Sequence, residues 1–467
     1  MGNAFQGPTW EPWRAILSAA FALPLSPERR ALFDGLAGGR EPPTRPVREL
    51  WAVAGRRGGK SHIAAALSVY LSTVGAEVLG TLARLSRGER GVVPVIACDR
   101  AQARVILGYV TALLESSPVL SQLVERQGRE EVELSNGAAI QIGTNSFRAV
   151  RGRTMLAALF DESAFYRDEA SANPDTELYR AVLPGLATTG GLLVGISSPY
   201  ARRGLLWDKF RRHYGQPGDV LVVQGASREL NPSLPQSVVD QAVEDDPQAA
   251  LAEWGGQFRG DIESFLTREA VEGALRNGLL ELPKLPGLGY RAFCDPSGGG
   301  QDEFALALGH REGARYVVDL LRARRGVPAE IAAEFAALLK SYGITRVHGD
   351  KYAGTWPADE FRRHGIAYEA AAAPKSELYL NCLATFANGR VELPRDDRLV
   401  AQLVGLERRT ARGGRDSIDH PPGGHDDRAN AVAGLLGLLR HGGAAGFVIE
   451  TTPGIGTAHR ALPEIMR

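Results

Sequence analysis

The sequence predicts a two-part α/β protein. Two stretches alternate short apolar, β-like runs with helix-period segments, and a Pro- and acid-rich region separates them. In the first stretch a glycine-rich loop is set between a strand-like run and a helix-like one. The 467 residues exceed one ordinary core, at roughly 100–200 residues per domain. A hydrophobic content of 44% with 23% charged residues excludes a disordered or fibrous chain.

The strand candidates of the first stretch are Glu49–Ala54, Val92–Ala97, Met155–Phe160, Gly191–Ser197 and Val220–Gln224, with helices over Ala101–Ser116 and Pro174–Leu183. Glu131–Leu134 and Ala138–Ile142 flank Asn136-Gly137, a hairpin signal because both residues tolerate positive φ. In the second stretch Tyr290–Cys294, Phe304–Gly309 and Arg315–Leu321 read as three successive antiparallel strands. A helix over Pro328–Tyr342, a strand over Thr345–Gly349, a helix over Trp356–His364 and a strand over Ile366–Ala370 follow, and Asp426–Arg440 closes the series as a helix. That is the order of an RNase H-like fold. The expected divisions are residues 1–227, a helical connector 228–288, an RNase H-like part 289–441 and a loose tail 442–467, with a fragment from about Leu285 to Gly442 folding alone.

No apolar run approaches the roughly 18 residues that span a bilayer, so no membrane partner is expected. The start, MGNAFQGPTW, lacks a signal pattern, and Gln6 breaks the myristoylation motif. Cys98, Cys294 and Cys382 are scattered, odd in number and without a CxxC, which argues against a disulfide framework or zinc site and fits a reducing cytoplasm. Basic and acidic residues balance at 54 each, so nucleic-acid contact must come from local clusters. Arg148–Arg153, Lys209–His213 and Arg408–Arg415 are candidates, each equally readable as a solvated arginine-rich surface.

Ala54-Gly55-Arg56-Arg57-Gly58-Gly59-Lys60-Ser61 follows an apolar run and precedes the helix pattern His62–Thr73, the context of a phosphate-binding P-loop and of a RecA/ASCE-like NTPase fold. Glycines let backbone N–H groups converge on phosphate oxygens, and the helix N-terminus adds its positive dipole end. Lys60 would reach the β- and γ-phosphates of ATP, and the Ser61 hydroxyl would bind Mg²⁺. Ala54 stands where the motif has glycine, which a small residue accommodates. The apolar strand Met155–Phe160 ends in Asp161 and Glu162, which suit a Mg²⁺ carboxylate and a water-activating base. Arg56 or Arg57 could stabilise γ-phosphate charge or form a surface salt bridge; the sequence leaves this open.

With these motifs in order, the chain resembles the large terminase subunits of tailed bacteriophages. The resemblance rests on GRRGGKS, on Arg151-Gly152-Arg153-Thr154 leading into LAALFDESAFY, on Gly195-Ile196-Ser197-Ser198-Pro199, and on Trp254-Gly255-Gly256-Gln257-Phe258. It covers roughly Trp10 to Arg440. It implies an ATPase that threads double-stranded DNA into a procapsid, a nuclease that cuts concatemers, and a coupling role for Ser197 and Ser198. It also implies a portal, a small terminase subunit, self-assembly on the portal and a host-cytoplasmic setting. For adenine recognition, Gln6 and Arg14 are the polar candidates upstream of the loop.

A two-metal nuclease needs carboxylates converging from separate elements, with two Mg²⁺ or Mn²⁺ ions about 3.5–4 Å apart. Asp295 ends the first strand of the second stretch and Asp350 its fourth, while Asp426 and Asp427 open the last helix. Each has a plainer reading, as a turn residue, a loop cap or a helix cap. Jointly they match the terminase nuclease pattern. Asp426 and Asp427 stand about 100° apart on a helix, so one ligates and the other supports, in either order. His425, Asp302 and Lys375 are secondary candidates. A helicase- or repair-type ATPase fused to a nuclease, or an ATP-binding DNA scaffold without activity, are the alternatives. The first is weakened by the single P-loop domain.

Overall fold

The computed structural model of the chain describes residues 5–144, 150–166, 171, 174–297, 302–350, 355–410 and 416–441. The tail 442–467 and parts of two basic clusters, residues 148–149 and 411–415, lie outside them. Two compact units emerge: residues 1–273 with 375–380 and 395–429, and residues 274–374 with 381–394 and 430–467.

In the first unit the strands are β1 (Glu49–Ala54), β2 (Gly91–Ala97), β3 (Val124–Gln127), β4 (Glu131–Leu134), β5 (Ala138–Thr144), β6 (Ala157–Asp161), β7 (Leu192–Ser197) and β8 (Val220–Gly225), all but the unforeseen edge strand β3 within a few residues of expectation. They form one sheet in the order β3-β4-β5-β2-β6-β7-β1-β8. The five central pairings are parallel, and their members are mostly buried, as a sheet covered on both faces requires. The β4–β5 hairpin is antiparallel, and Gly137 takes φ 87° in its turn. One face packs on Trp13, Ile16, Phe33, Ile63, Leu67 and Ile106, the other on Tyr166, Leu178, Val182 and Leu205. Parallel strands 6, 7 and 1 therefore end side by side, the place where open α/β sheets bind ligands.

A second, three-stranded sheet in this unit joins β9 (Ile262–Ser264) to two strands far along the chain. In the second unit β10 (Tyr290–Asp295), β11 (Phe304–Glu312) and β12 (Arg315–Arg324) form an antiparallel meander. Strands β13 (Arg346–Gly349) and β14 (Ala367–Ala370) add in parallel beside β10, and β15 (Val391–Glu392) beside β12. The order β14-β13-β10-β11-β12-β15 is RNase H-like. Ala292 and Cys294 face a core with Phe304, Phe335 and Phe361, while Phe293, on the opposite face by strand alternation, meets the last helix. There Gly434 lies so close that a Cβ would stand 2.4 Å from the Phe293 ring. The remaining two strands, β16 (Glu407–Thr410) and β17 (Asp416–Asp419), complete the sheet begun by β9.

The chain upstream of residue 285 is tied into the second unit. Arg276 donates to the carbonyls of Val318 (2.6 Å) and Asp319 (3.1 Å), Leu393 N donates to Ala274 O (2.8 Å), and Glu281 pairs with Arg322 (2.6 Å). A fragment from Leu285 to His441 loses all of these, and is expected to be less stable than Asp261–His441 by on the order of 2–4 kcal/mol, at about 1 kcal/mol per hydrogen bond. Urea unfolding of the two fragments checks this, and equal midpoints would refute it.

Candidate functional site

The P-loop leaves the end of β1 and runs into the helix Lys60–Ser72. Gly59 takes φ 85°, a conformation that costs other residues energy, and no side chain caps the helix, so its first N–H groups face the loop. The loop is clamped from outside. Trp13 Nε1 donates to Gly58 O (2.6 Å), and Gly55 N donates to Gly225 O at the end of β8 (3.0 Å). A Cβ on Gly55 would stand 2.7 Å from Trp254 O. Gly256, at φ 65°, presses on Gly225 O and accepts from Gln224 Nε2 at 2.7 Å. The Trp254–Phe258 motif thus braces the loop from beneath.

Inside the loop Lys60 is buried and donates to Ser198 Oγ (2.8 Å), Gly55 O (3.2 Å) and Ala54 O (3.4 Å), with Glu162 Oε1 at 3.3 Å. Ser61 Oγ lies 3.4 Å from Asp161 Oδ2. Asp161 is fully buried, its Oδ1 has no partner, and burial together with the adjacent Glu162 charge pushes its pKa up to about 7. An orphaned, destabilised carboxylate beside a hydroxyl is what a divalent cation would relieve, so these residues fit Mg²⁺.

Glu162 sits at φ 55°, a left-handed conformation costing a non-glycine residue on the order of 1–3 kcal/mol. Two bonds to β7 hold it there: Ser198 N donates to its Oε2 at 2.9 Å and Ser197 Oγ at 3.2 Å. Ser197 also accepts from Ala164 N (3.2 Å), so the two serines contact Lys60 and Glu162 at once. Two residues further, Tyr200 donates to Glu407 (2.8 Å) on β16, a fully buried carboxylate that also pairs with Arg203 and Arg409.

Arg56 is drawn into an exposed ion pair with Glu253 (2.7 Å). Arg57 takes φ 61°, and its carbonyl accepts from Asn231 Nδ2 (2.9 Å). Arg14 is bound by Glu11 and by Phe5 O, and Gln6 is exposed. Lys209, expected in a basic cluster, is instead half-buried and held by Glu49 and Tyr179. The residue that sequence reasoning missed is Gln102, whose Nε2 reaches Ser61 Oγ (2.7 Å) and Asp161 Oδ2 (2.8 Å). Its one local signal is a place in the first turn of the helix that follows β2, three residues after the Asp99 cap.

Cys98 directly follows the same strand. Burial, then the charges of Asp99, Glu162 and Asp161, push its thiol up to about 12. Alkylation by iodoacetamide at pH 8 is therefore expected to run roughly a thousandfold slower than for a free thiol of pKa about 8.5, with the rate rising about tenfold per pH unit. Peptide mass spectrometry checks this, and labelling as fast as glutathione would contradict it.

In the second unit Cys294 pairs with Gly349 across parallel β10 and β13, so Asp295 and Asp350 emerge at neighbouring strand ends. Gly349 admits no side chain there: a Cβ would stand 2.5 Å from the Tyr368 hydroxyl and 2.8 Å from Cys294 O. Tyr368 donates to Asp350 O (2.8 Å), and burial, with Cys294, Asp350 and Asp295 nearby, pushes its phenol far above its ordinary value. Asp302 is exposed and Ser297 Oγ donates to its carbonyl (3.0 Å).

Asp426 and Asp427 cluster with the first unit. Asp426 is buried and held by Lys375 Nζ (2.8 Å) and the Tyr379 hydroxyl (2.7 Å); Lys375 also reaches Asp419 (2.9 Å). Burial works against the Lys375 charge, but Asp426 and Asp419 outweigh it and raise its pKa. Asp419, His420 and Asp426 bring ligand atoms within 4.8 Å of one another. Asp427 opens the last helix, half-buried, and His425 is half-buried as well.

Fold and side chains together define a P-loop NTPase fold followed in one chain by an RNase H-like fold. No family model and no curated protein matches the sequence. Among solved structures, the chain is similar to the large terminase of bacteriophage HK97, at 14% identity over 91% of this chain and 99% of that one, with a TM-score of 0.39. A large terminase from a thermophilic bacteriophage gives 11% identity over 94% and 100%, with a TM-score of 0.40. The large terminase nuclease of thermophilic phage G20c gives 21% over 36% and 95%, with a TM-score of 0.32. No helix among the described residues is long and apolar enough to cross a membrane.

Proposed function

We propose that the chain is the motor and nuclease subunit of viral DNA packaging, hydrolysing ATP to move double-stranded DNA into a procapsid and cutting concatemeric DNA. One observation carries the reading: a complete phosphate-and-metal set (Lys60, Ser61, Asp161, Glu162) shares a chain with two carboxylates at neighbouring strand ends of an RNase H-like sheet. The order of the GRRGGKS, LFDES, GISSP and WGGQF motifs supports it.

In this reading the backbone of Gly55–Gly59 cradles the ATP phosphates and Lys60 exchanges its carbonyl and Ser198 partners for phosphate oxygens. Mg²⁺, when bound, offsets charge on the phosphates, and Ser61 and Asp161 are the residues to hold it. Glu162 orients the attacking water and accepts its proton, placed for this by Ser197 and Ser198. Because the same serines touch Lys60 and Glu162, a change at the phosphates reaches β7, and through Tyr200 the strand carrying Glu407. Arg57 is favoured over the paired Arg56 for contact with the γ-phosphate.

For cutting, Asp295 and Asp350 would hold the Mg²⁺ or Mn²⁺ ions, which would stabilise the attacking and leaving oxygens. Portal ring, small terminase subunit, self-assembly on the portal and host cytoplasm belong to the same proposal. The test is ATPase stimulation together with Mn²⁺-dependent nicking of plasmid DNA. Stimulation by a portal or procapsid supports packaging. Stimulation by forked DNA alone would make the chain a helicase-type enzyme, and failure to nick would remove the nuclease.

A further inference from the structure

We propose that Gln102 is a placeholder for the divalent cation of the nucleotide site, a positioning residue that must leave before the metal enters. The proposal rests on the ATPase reading above. Gln102 stands in the first turn of the helix Arg100–Glu115, where its own N–H is fixed by Asp99 Oδ1 at 2.8 Å. Its side-chain Nε2 donates to Ser61 Oγ at 2.7 Å and to Asp161 Oδ2 at 2.8 Å. The same amide nitrogen, and not the amide oxygen, thus faces both acceptors.

One NH₂ group therefore spans the two protein oxygens that a cation needs, which are 3.4 Å apart. In octahedral Mg²⁺ coordination at about 2.0–2.1 Å, adjacent ligand oxygens stand roughly 2.9 Å apart. The pair is thus nearly at metal spacing already, kept there by the amide. The positive end of an N–H dipole and a divalent cation cannot occupy the same gap, so entry of the metal breaks both hydrogen bonds. Without the metal, Gln102 keeps the Ser61 hydroxyl and the buried Asp161 carboxylate in register and partly compensates a charge that burial has stripped of water. The phosphate cradle itself does not involve Gln102, so the residue bears on metal entry and not on the nucleotide alone.

The test titrates Mg²⁺ against binding of a fluorescent ATP analogue to the full chain, with thermal melts in EDTA to confirm folding. Gln102→Leu keeps bulk and removes the donor. It is expected to lower the half-saturating Mg²⁺ about fivefold to tenfold, the net worth of one ordinary hydrogen bond. Analogue affinity without Mg²⁺ should stay unchanged. Gln102→Glu removes the donor and adds negative charge, and should lower the Mg²⁺ requirement further. An unchanged or raised requirement in Gln102→Leu overturns the proposal. If it rises there and falls in Gln102→Glu, the side chain instead accepts from a metal-bound water, which also overturns it. Equal binding of the analogue by the parent chain and Lys60→Ala overturns the nucleotide reading, and the proposal with it.

Discussion

Lys60→Ala and Glu162→Gln are each expected to lower ATP hydrolysis by about a hundredfold to ten-thousandfold, with metal-dependent DNA cleavage left intact. The two fail differently. Lys60→Ala removes the buried ammonium that meets the transferring phosphate, and it also strips Ser198 and Glu162 of their shared partner, so nucleotide binding weakens as well. Glu162→Gln keeps the side-chain shape, and its amide can still accept from Ser198 N, so ATP should bind while hydrolysis stops. Equilibrium binding beside a phosphate-release assay separates these outcomes. Parental hydrolysis rates in Glu162→Gln would remove Glu162 as the base.

The second large effect is at the other carboxylate pair. Asp295→Asn or Asp350→Asn should lower plasmid nicking at least about a hundredfold, because two-metal cleavage needs both ions to stabilise the attacking and leaving oxygens. Metal-free protein should become more stable in either variant, since carboxylates at neighbouring strand ends repel each other. Stabilisation by Mn²⁺ should shrink in proportion, and ATPase activity should not change. A thermal melt with and without Mn²⁺ reads this directly. Normal nicking by Asp295→Asn with full Mn²⁺ stabilisation would place the nuclease elsewhere.

Both sets of residues were legible along the chain for a local reason. Lys60 and Ser61 belong to a loop whose glycines, preceding strand and following helix are contiguous. Asp161 and Asp295 end apolar runs and Asp350 follows the short strand Arg346–Gly349, so each strand delivers a carboxylate at its end. The hairpin at Asn136-Gly137 and the three-strand meander from Tyr290 were equally readable, since turn chemistry and strand alternation act within a few residues.

Gln102 was not legible, because its meaning lies in Ser61 and Asp161 and not in its neighbours. The same holds for Lys209, which looked like part of a basic surface until Glu49 and Tyr179 claimed it. Glu407 is another case: a charge in an arginine-rich stretch becomes the buried acceptor of Tyr200 and Arg203.

Local periodicity, turn residues and motif spacing determined which elements form and which side chains stand as candidates for chemistry, since those preferences are set by a residue and its near neighbours in sequence. Only the tertiary structure decided that β7 lies between β6 and β1, bringing Ser197 and Ser198 against Lys60 and Glu162, and that β9 pairs with β16. Strand order and buried polar partnerships depend on which distant segments exclude water together, and a linear sequence does not state that.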